Sequence, residues 1–234
     1  MKRLMSHRTL VLSRAIVAIL VKTEDVFSDT GFLDRAITIR GETYRFQVYV
    51  PAEDTKTKQW PIVVYLHGNG AQGADGLLPT VHAPADQIRQ HAVVVFPQAK
   101  EGKRWLYPDM EDLVIAEIDQ AIKEFSGDRT RVYLTGFSMG ATGAYRIAYR
   151  WYDARDIQVD RAANLFVTTA DPFSALAVRI GRLPIWIFHG DADQTVPVEQ
   201  SRHLVPALKA IRPERSLHRI CGRFPYWRCR KSLR

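Results

Sequence analysis

Cysteine is almost missing from this 234-residue sequence: Cys221 and Cys229 are the only two, and the 220 residues before them hold none. That excludes a disulfide-stapled scaffold, and without CxxC spacing it gives no thiolate metal framework. Long apolar runs are lacking too. None approaches the roughly 20 residues needed to cross a bilayer, so stable membrane insertion is not expected. Internal repeats and low-complexity segments are absent, which excludes solenoids and compositional linkers. The net charge of +8 raises the question of a nucleic-acid partner, but the body of the chain has no basic excess. Residues 1–22 carry five Lys or Arg and no acid, residues 211–234 carry eight against one Glu, and residues 23–210 carry 20 basic against 24 acidic side chains. The positive charge belongs to two short ends, so no nucleic acid is expected as partner.

What is present fits one globular domain. Hydrophobic residues make up 46% and charged residues 25%, ordinary values for a soluble protein long enough for a sizeable core. The first 29 residues form a basic and apolar leader with the look of a signal peptide. Arg14 interrupts its apolar stretch and no small-x-small cleavage site follows, so the reading favours a cytoplasmic over an exported protein. From about residue 36, AITIRGETYRFQVYVP predicts two strands around an Arg40-Gly41-Glu42 turn. Short apolar runs follow at PIVVYLHG (61–68), HAVVVFPQ (91–98), RVYLTG (131–136), NLFVTTA (164–170) and PIWIFHG (184–190). Between them lie helical patterns: one opening at Pro108-Asp109 and stopping at Gly127, one at SMGATGAYRIAYRWY, and one at VPVEQSRHLVPALKAI. Apolar strands alternating with helices imply an α/β protein, mostly a parallel sheet with helices on both faces, preceded by an antiparallel hairpin.

In such sheets chemistry gathers at the carboxyl ends of the strands. Three motifs end strands here: HGNG, GFSMG and HGDAD. GFSMG places Ser138 between two glycines, after a predicted strand and before a predicted helix, which is the context of a nucleophile elbow. The alternative is a glycine-rich turn without chemistry. An attacking serine creates an oxyanion. Its donors are expected to be the backbone N–H of Met139, directly after the nucleophile, and that of Asn69 in the HGNG loop. His67, just before that loop, reads as a structural histidine bonded to nearby backbone. The acid should follow the serine in the chain, and IFHGDADQTVP offers Asp191 and Asp193.

At these residues the sequence resembles a known superfamily. PIVVYLHGNG, RVYLTGFSMG and IFHGDADQTVPVEQS look like serine esterases of the α/β-hydrolase superfamily. The likeness is to the phospholipase/carboxylesterase type and to feruloyl-esterase and polyhydroxybutyrate-depolymerase relatives. The resemblance runs from about residue 30 to 210, leaving 211–234 as an atypical basic tail. It implies an α/β-hydrolase fold, a small ester as substrate, and no metal or organic cofactor. The pattern HGxxDxxVP falls on His189, Gly190, Asp193, Val196 and Pro197, which selects Asp193 as the triad acid. The oligomeric state is not legible. Phe137, Trp105 and Tyr107 are candidates for the acyl or alcohol pocket, with core packing as the alternative. A peptidase of the prolyl-oligopeptidase type shares the fold and remains open, as does a non-catalytic member.

The base is where the resemblance fails. The family places its histidine about thirty residues past the acid, after one more strand, but here the chain reads IRPERSLHRICGRFPYWRCRKSLR. Only His203 and His218 follow Asp193. His203 falls within a predicted helix, and His218, nearer the expected place though without a surrounding motif, is the candidate base. Codons for residues 217–222, read one nucleotide later, can spell YTEYAG, and continuing through residue 225 can give VSH. A slipped reading frame near residue 211 would account for the missing motif, as an alternative to His218 serving as base. It would leave the written chain without its general base and one strand.

Overall fold

The computed structural model describes residues 29–52, 58–81, 86–151, 170–211 and 216–221. Strands β1 (Gly31–Ile39) and β2 (Glu42–Val50) pair antiparallel over their full lengths. Their turn has positive φ at Arg40 (52°) and Gly41 (83°), the two-residue geometry whose twist matches that of the flanking strands. The hairpin starts five residues earlier than the apolar pattern suggested, because β1 alternates half-buried and exposed residues instead of carrying a solid apolar run.

Strands β3 (Trp60–Leu66), β4 (Val93–Phe96) and β5 (Gly127–Gly136) complete a five-stranded sheet of order β1-β2-β4-β3-β5. β2 meets β4 antiparallel, while β3 is parallel to both β4 and β5. The short helices α1 (Leu78–Val81) and α2 (Asp86–Arg89) connect β3 to β4. Helix α3 (Pro108–Glu124) connects β4 to β5, and α4 (Met139–Trp151) follows β5. The chain thus runs from β3 to one neighbour, then crosses back to the other side of β3. The carboxyl ends of β3 and β5 flank that reversal, the place where open α/β sheets bind ligands.

One face of the sheet, including Ile62, Val64, Leu66, Val93 and Val95, packs against Met110, Leu113, Val114 and Ile118 of α3 and Ile147 of α4. Each large apolar side chain buried there contributes about 1.5–3 kcal/mol. Tyr65, Val94 and Phe96 form a separate cluster, as strand alternation requires. Within the first layer Glu111 is fully buried, and its carboxylate accepts from Arg146 (2.8 Å) and Arg150 (2.6 Å) of α4. These two ion pairs fix α4 against α3, and so fix the turn from which α4 starts.

Helices α5 (Pro172–Ile180) and α6 (Glu199–Ile211) pack together with β6 (Ile185–Gly190) through Leu176, Ile180, Ile187, Leu204 and Leu208. Two elements here correct the sequence reading. The first is α5, which the apolar pattern did not announce. Its signal was a cap: Asp171 accepts from the backbone N–H groups of Phe173 and Ser174, and Pro172 occupies the first turn. The second is β7 (Ser216–Cys221), which pairs parallel with β6 from Ile185↔Ser216 to Gly190↔Cys221. The tail segment SLHRIC lacks alternation, yet it supplies the strand expected to be missing, because pairing with β6 satisfies its backbone whatever its side chains. Residues 164–169 of the strand expected at NLFVTTA, and the leader up to residue 28, lie outside the described residues. Among the described residues no helix is long and apolar enough to cross a membrane.

Candidate active site

Three non-glycine residues among those described have positive φ: Arg40, Ser126 and Ser138. Arg40 belongs to the hairpin turn, and Ser126 ends α3, where a left-handed residue is common. Ser138 has neither excuse. It precedes the first residue of α4, a cap position that normally takes extended backbone, yet its φ is 53°. A side chain in the left-handed region costs about 1–2 kcal/mol, and such strain persists where the surroundings over-determine it.

Those surroundings explain the glycines of GFSMG. A Cβ on Gly136 would lie 2.4 Å from the backbone of Gly140, and one on Gly140 would lie 1.9 Å from the Leu66 carbonyl oxygen. A Cβ on Gly143, one turn further along α4, would meet Trp105 at 2.3 Å. Helix α4 is therefore pressed backbone to backbone onto the end of β3. Phe137 N–H donates to Leu66 O at 3.2 Å, and Gly140 N–H donates to Phe137 O at 2.8 Å. Met139 opens α4, so its N–H is among the first-turn donors that have no acceptor within the helix. Ser138 is half-buried.

The HGNG loop leaves the sheet beside this turn, since Leu66 and Gly136 are register partners in β3 and β5. Asn69 stands exposed at the tip of the loop, followed by Gly70 at φ 95°. His67, at the base, is buried with both ring nitrogens engaged. Nδ1 lies 2.7 Å from Gly68 O, and Nε2 accepts from Ala99 N–H at 3.1 Å. Accepting at Nε2 requires the neutral ring, and burial pushes its pKa down, favouring that form. His67 is structural, as the sequence suggested. The Trp105 indole donates to His67 O at 3.0 Å and is fully buried. Trp105 therefore belongs to the core and not to a substrate pocket. Phe137 and Tyr107 are exposed, and Phe137 lies against Gly68.

Asp193 follows the end of β6. Its Oδ1 accepts from the backbone N–H of Thr195 (2.8 Å) and Val196 (2.9 Å). The Val196 bond is the main reason its carboxyl is held below the ordinary aspartate value, with Thr195 and nearby His189 adding to it against slight burial. His189 also has both nitrogens engaged. Nδ1 lies 2.6 Å from Ser201 Oγ, and Nε2 lies 2.9 Å from Val196 O and 3.6 Å from Asp193 Oδ2. The sequence reading missed Ser201, whose hydroxyl ties α6 to His189 at the end of β6. Its spacing from His189 carries no local signal. Asp191 is exposed.

His203 lies on the exposed side of α6, its ring edge-on to Phe173 at 5.4 Å. His218 is in β7, in register with Ile187 and three residues before the strand ends opposite Gly190. Ser138 and Asp193, by contrast, both follow the carboxyl ends of their strands.

This arrangement is the α/β-hydrolase fold. No protein-family model matches the chain, and no curated protein does. Solved structures do. A thermostable esterase superposes with a TM-score of 0.66 at 24% identity over 82% of this chain, which spans 55% of that one. Esterase 2 of Thermogutta terrifontis, phosphorylated by paraoxon, gives 0.58 at 18% identity, with 82% of each chain covered. A lipase/esterase from Lactobacillus plantarum gives 0.52 at 18%, covering 82% of this chain and 92% of its own. At these identities the likeness is one of fold.

Proposed function

We propose that the chain is a serine hydrolase that cleaves carboxylic esters through an acyl-enzyme on Ser138. The observation that carries this is the φ of 53° at Ser138, in a turn whose flanking glycines have backbone where a Cβ would sit. Strain that no turn or helix end explains clusters at functional sites, and a nucleophile elbow is built to expose its serine hydroxyl where a strand gives way to a helix. In this reading Ser138 Oγ attacks the ester carbonyl carbon, and the carbonyl electron pair moves onto oxygen. The N–H groups of Met139 and Asn69 receive that oxyanion. Collapse of the tetrahedral intermediate expels the alcohol, and water then releases the acid. Asp193 orients a histidine that takes the serine proton and returns it to the leaving alcohol. The esterases among the fold's neighbours support this substrate class.

A second reading is favoured by one observation. His67 and His189 are tied by both nitrogens, and His218 stands within β7, not beyond its end. A chain whose base is displaced in this way keeps the elbow but turns over slowly, as a slipped reading frame near residue 211 would leave it. One experiment separates the two. Hydrolysis of p-nitrophenyl butyrate and labelling by a fluorophosphonate are measured on the full chain, on Ser138→Ala and on His218→Ala. Loss of both signals in Ser138→Ala is expected, and labelling undiminished in that variant would remove the assignment. Full activity that His218→Ala destroys would restore His218 as base and exclude the slip.

A further inference from the structure

We propose that Gln72 is a positioning residue that sets the gap between the two oxyanion donors, a role that rests on the reading of Asn69 and Met139 as those donors. Gln72 lies half-buried between the HGNG loop and the elbow. Its Oε1 accepts from Gly70 N–H at 2.7 Å, and its Nε2 donates to Asn69 Oδ1 at 2.9 Å. The same Nε2 lies 3.9 Å from Met139 Sδ. An amide flip would set Nε2 against an N–H donor and Oε1 against two acceptors, so one orientation alone satisfies all three contacts. A single side chain thus grips the turn that carries one donor and touches the residue that carries the other, 67 positions away in sequence.

The rest of the loop is held differently. Gly73 N–H donates to Ala99 O at 2.9 Å, and the buried Gln98 binds Ala71 O, Asp75 Oδ1 and Gly76 N–H. Those bonds fix residues 71–76 to the chain just after β4. They stop short of Asn69 and Gly70, in the loop that leaves the sheet beside the Ser138 turn. Oxyanion donors act only when about 2.7–3.1 Å from the position the charged oxygen will take. A misplacement of about 1 Å can cost on the order of 100-fold. An unclamped Asn69–Gly70 turn loses that distance without unfolding the domain.

The effect falls on the transition state, so it appears in kcat and not in KM. Gln72→Ala should lower kcat by about 10–100-fold on p-nitrophenyl acetate, with KM within about twofold and an unchanged melting temperature. A second measurement does not depend on turnover. The chain has four methionines, so the 13C-methyl signal of Met139 is assigned by Met139→Leu, and Gln72→Ala should shift it. A kcat within twofold of the parent or an unmoved Met139 signal would each overturn the role while leaving Ser138 intact as nucleophile. A chain with no Ser138-dependent hydrolysis overturns the esterase reading itself, and this role with it.

Discussion

Substituting Gly140 by alanine adds one carbon where the protein has none to spare. The new Cβ would lie 1.9 Å from the Leu66 carbonyl oxygen and 2.8 Å from that of His67, whereas real Cβ contacts under 3.0 Å essentially do not occur. Both obstacles are backbone atoms at the end of a parallel strand, so neither can rotate aside. The start of α4 must withdraw from β3 by about 1.1 Å to restore the shortest tolerable contact. Overpacking of this kind costs about 1–3 kcal/mol, and occasionally more. The immobile partners put Gly140→Ala at about 3 kcal/mol, which for a chain of this size lowers Tm by about 6–12 °C. Ser138 and Met139 ride on the same turn. A displacement of about 1 Å should slow phosphonate labelling on the order of 100-fold. Thermal unfolding followed by circular dichroism, together with labelling rates below the melting transition, measures both. Gly102→Ala is the control. Its φ is 71° with nothing within 4 Å of an added Cβ, so it should cost only about 1–2 kcal/mol of backbone strain and leave labelling unchanged. A Gly140→Ala protein that melts within 1 °C of the parent and labels at the parent rate would refute the claim that backbone contact sets the elbow.

Two further outcomes follow from buried or bonded carboxylates. Asp193→Asn keeps an oxygen to accept from Thr195 and Val196 but loses the charge proposed to orient a histidine. In a chain with a working base, turnover should fall by up to about 10⁴-fold, whereas Asp191→Asn should have little effect. The reverse ranking, read from p-nitrophenyl butyrate kinetics, would show Asp191 to be the acid. Glu117 is fully buried in α3 with both carboxylate oxygens unpartnered, and burial raises its pKa well above 4.5. A raised folded pKa stabilises the protein below the unfolded value, and that contribution is lost as pH rises through the folded one. Glu117→Leu should therefore be more stable by about 1–3 kcal/mol, with the gain over the parent larger at pH 8 than at pH 5. Urea unfolding at the two pH values tests this, and a gain that shrinks with pH would show that Glu117 is charged and paired in the fold.

What the sequence determined by itself was local. Positive φ at a two-residue turn, an unbroken apolar run in a buried strand and glycines around a serine are all written in contiguous residues. The hairpin, β3, β4, α3, α4 and the Ser138 turn were legible for that reason, and so was the structural character of His67. The tertiary structure decided whatever joins residues far apart. Gly140 needs to be glycine because of Leu66, a residue of another strand. Trp105 left the list of pocket candidates because its indole donates to His67 O. Ser201 and Gln72 were invisible as residue types, since a serine on a helix and a glutamine in a loop acquire meaning only from what they touch. β7 shows the limit most clearly. A strand pairs through its backbone, and the backbone of SLHRIC is the same as any other, so only its place beside β6 could reveal that this segment is a strand.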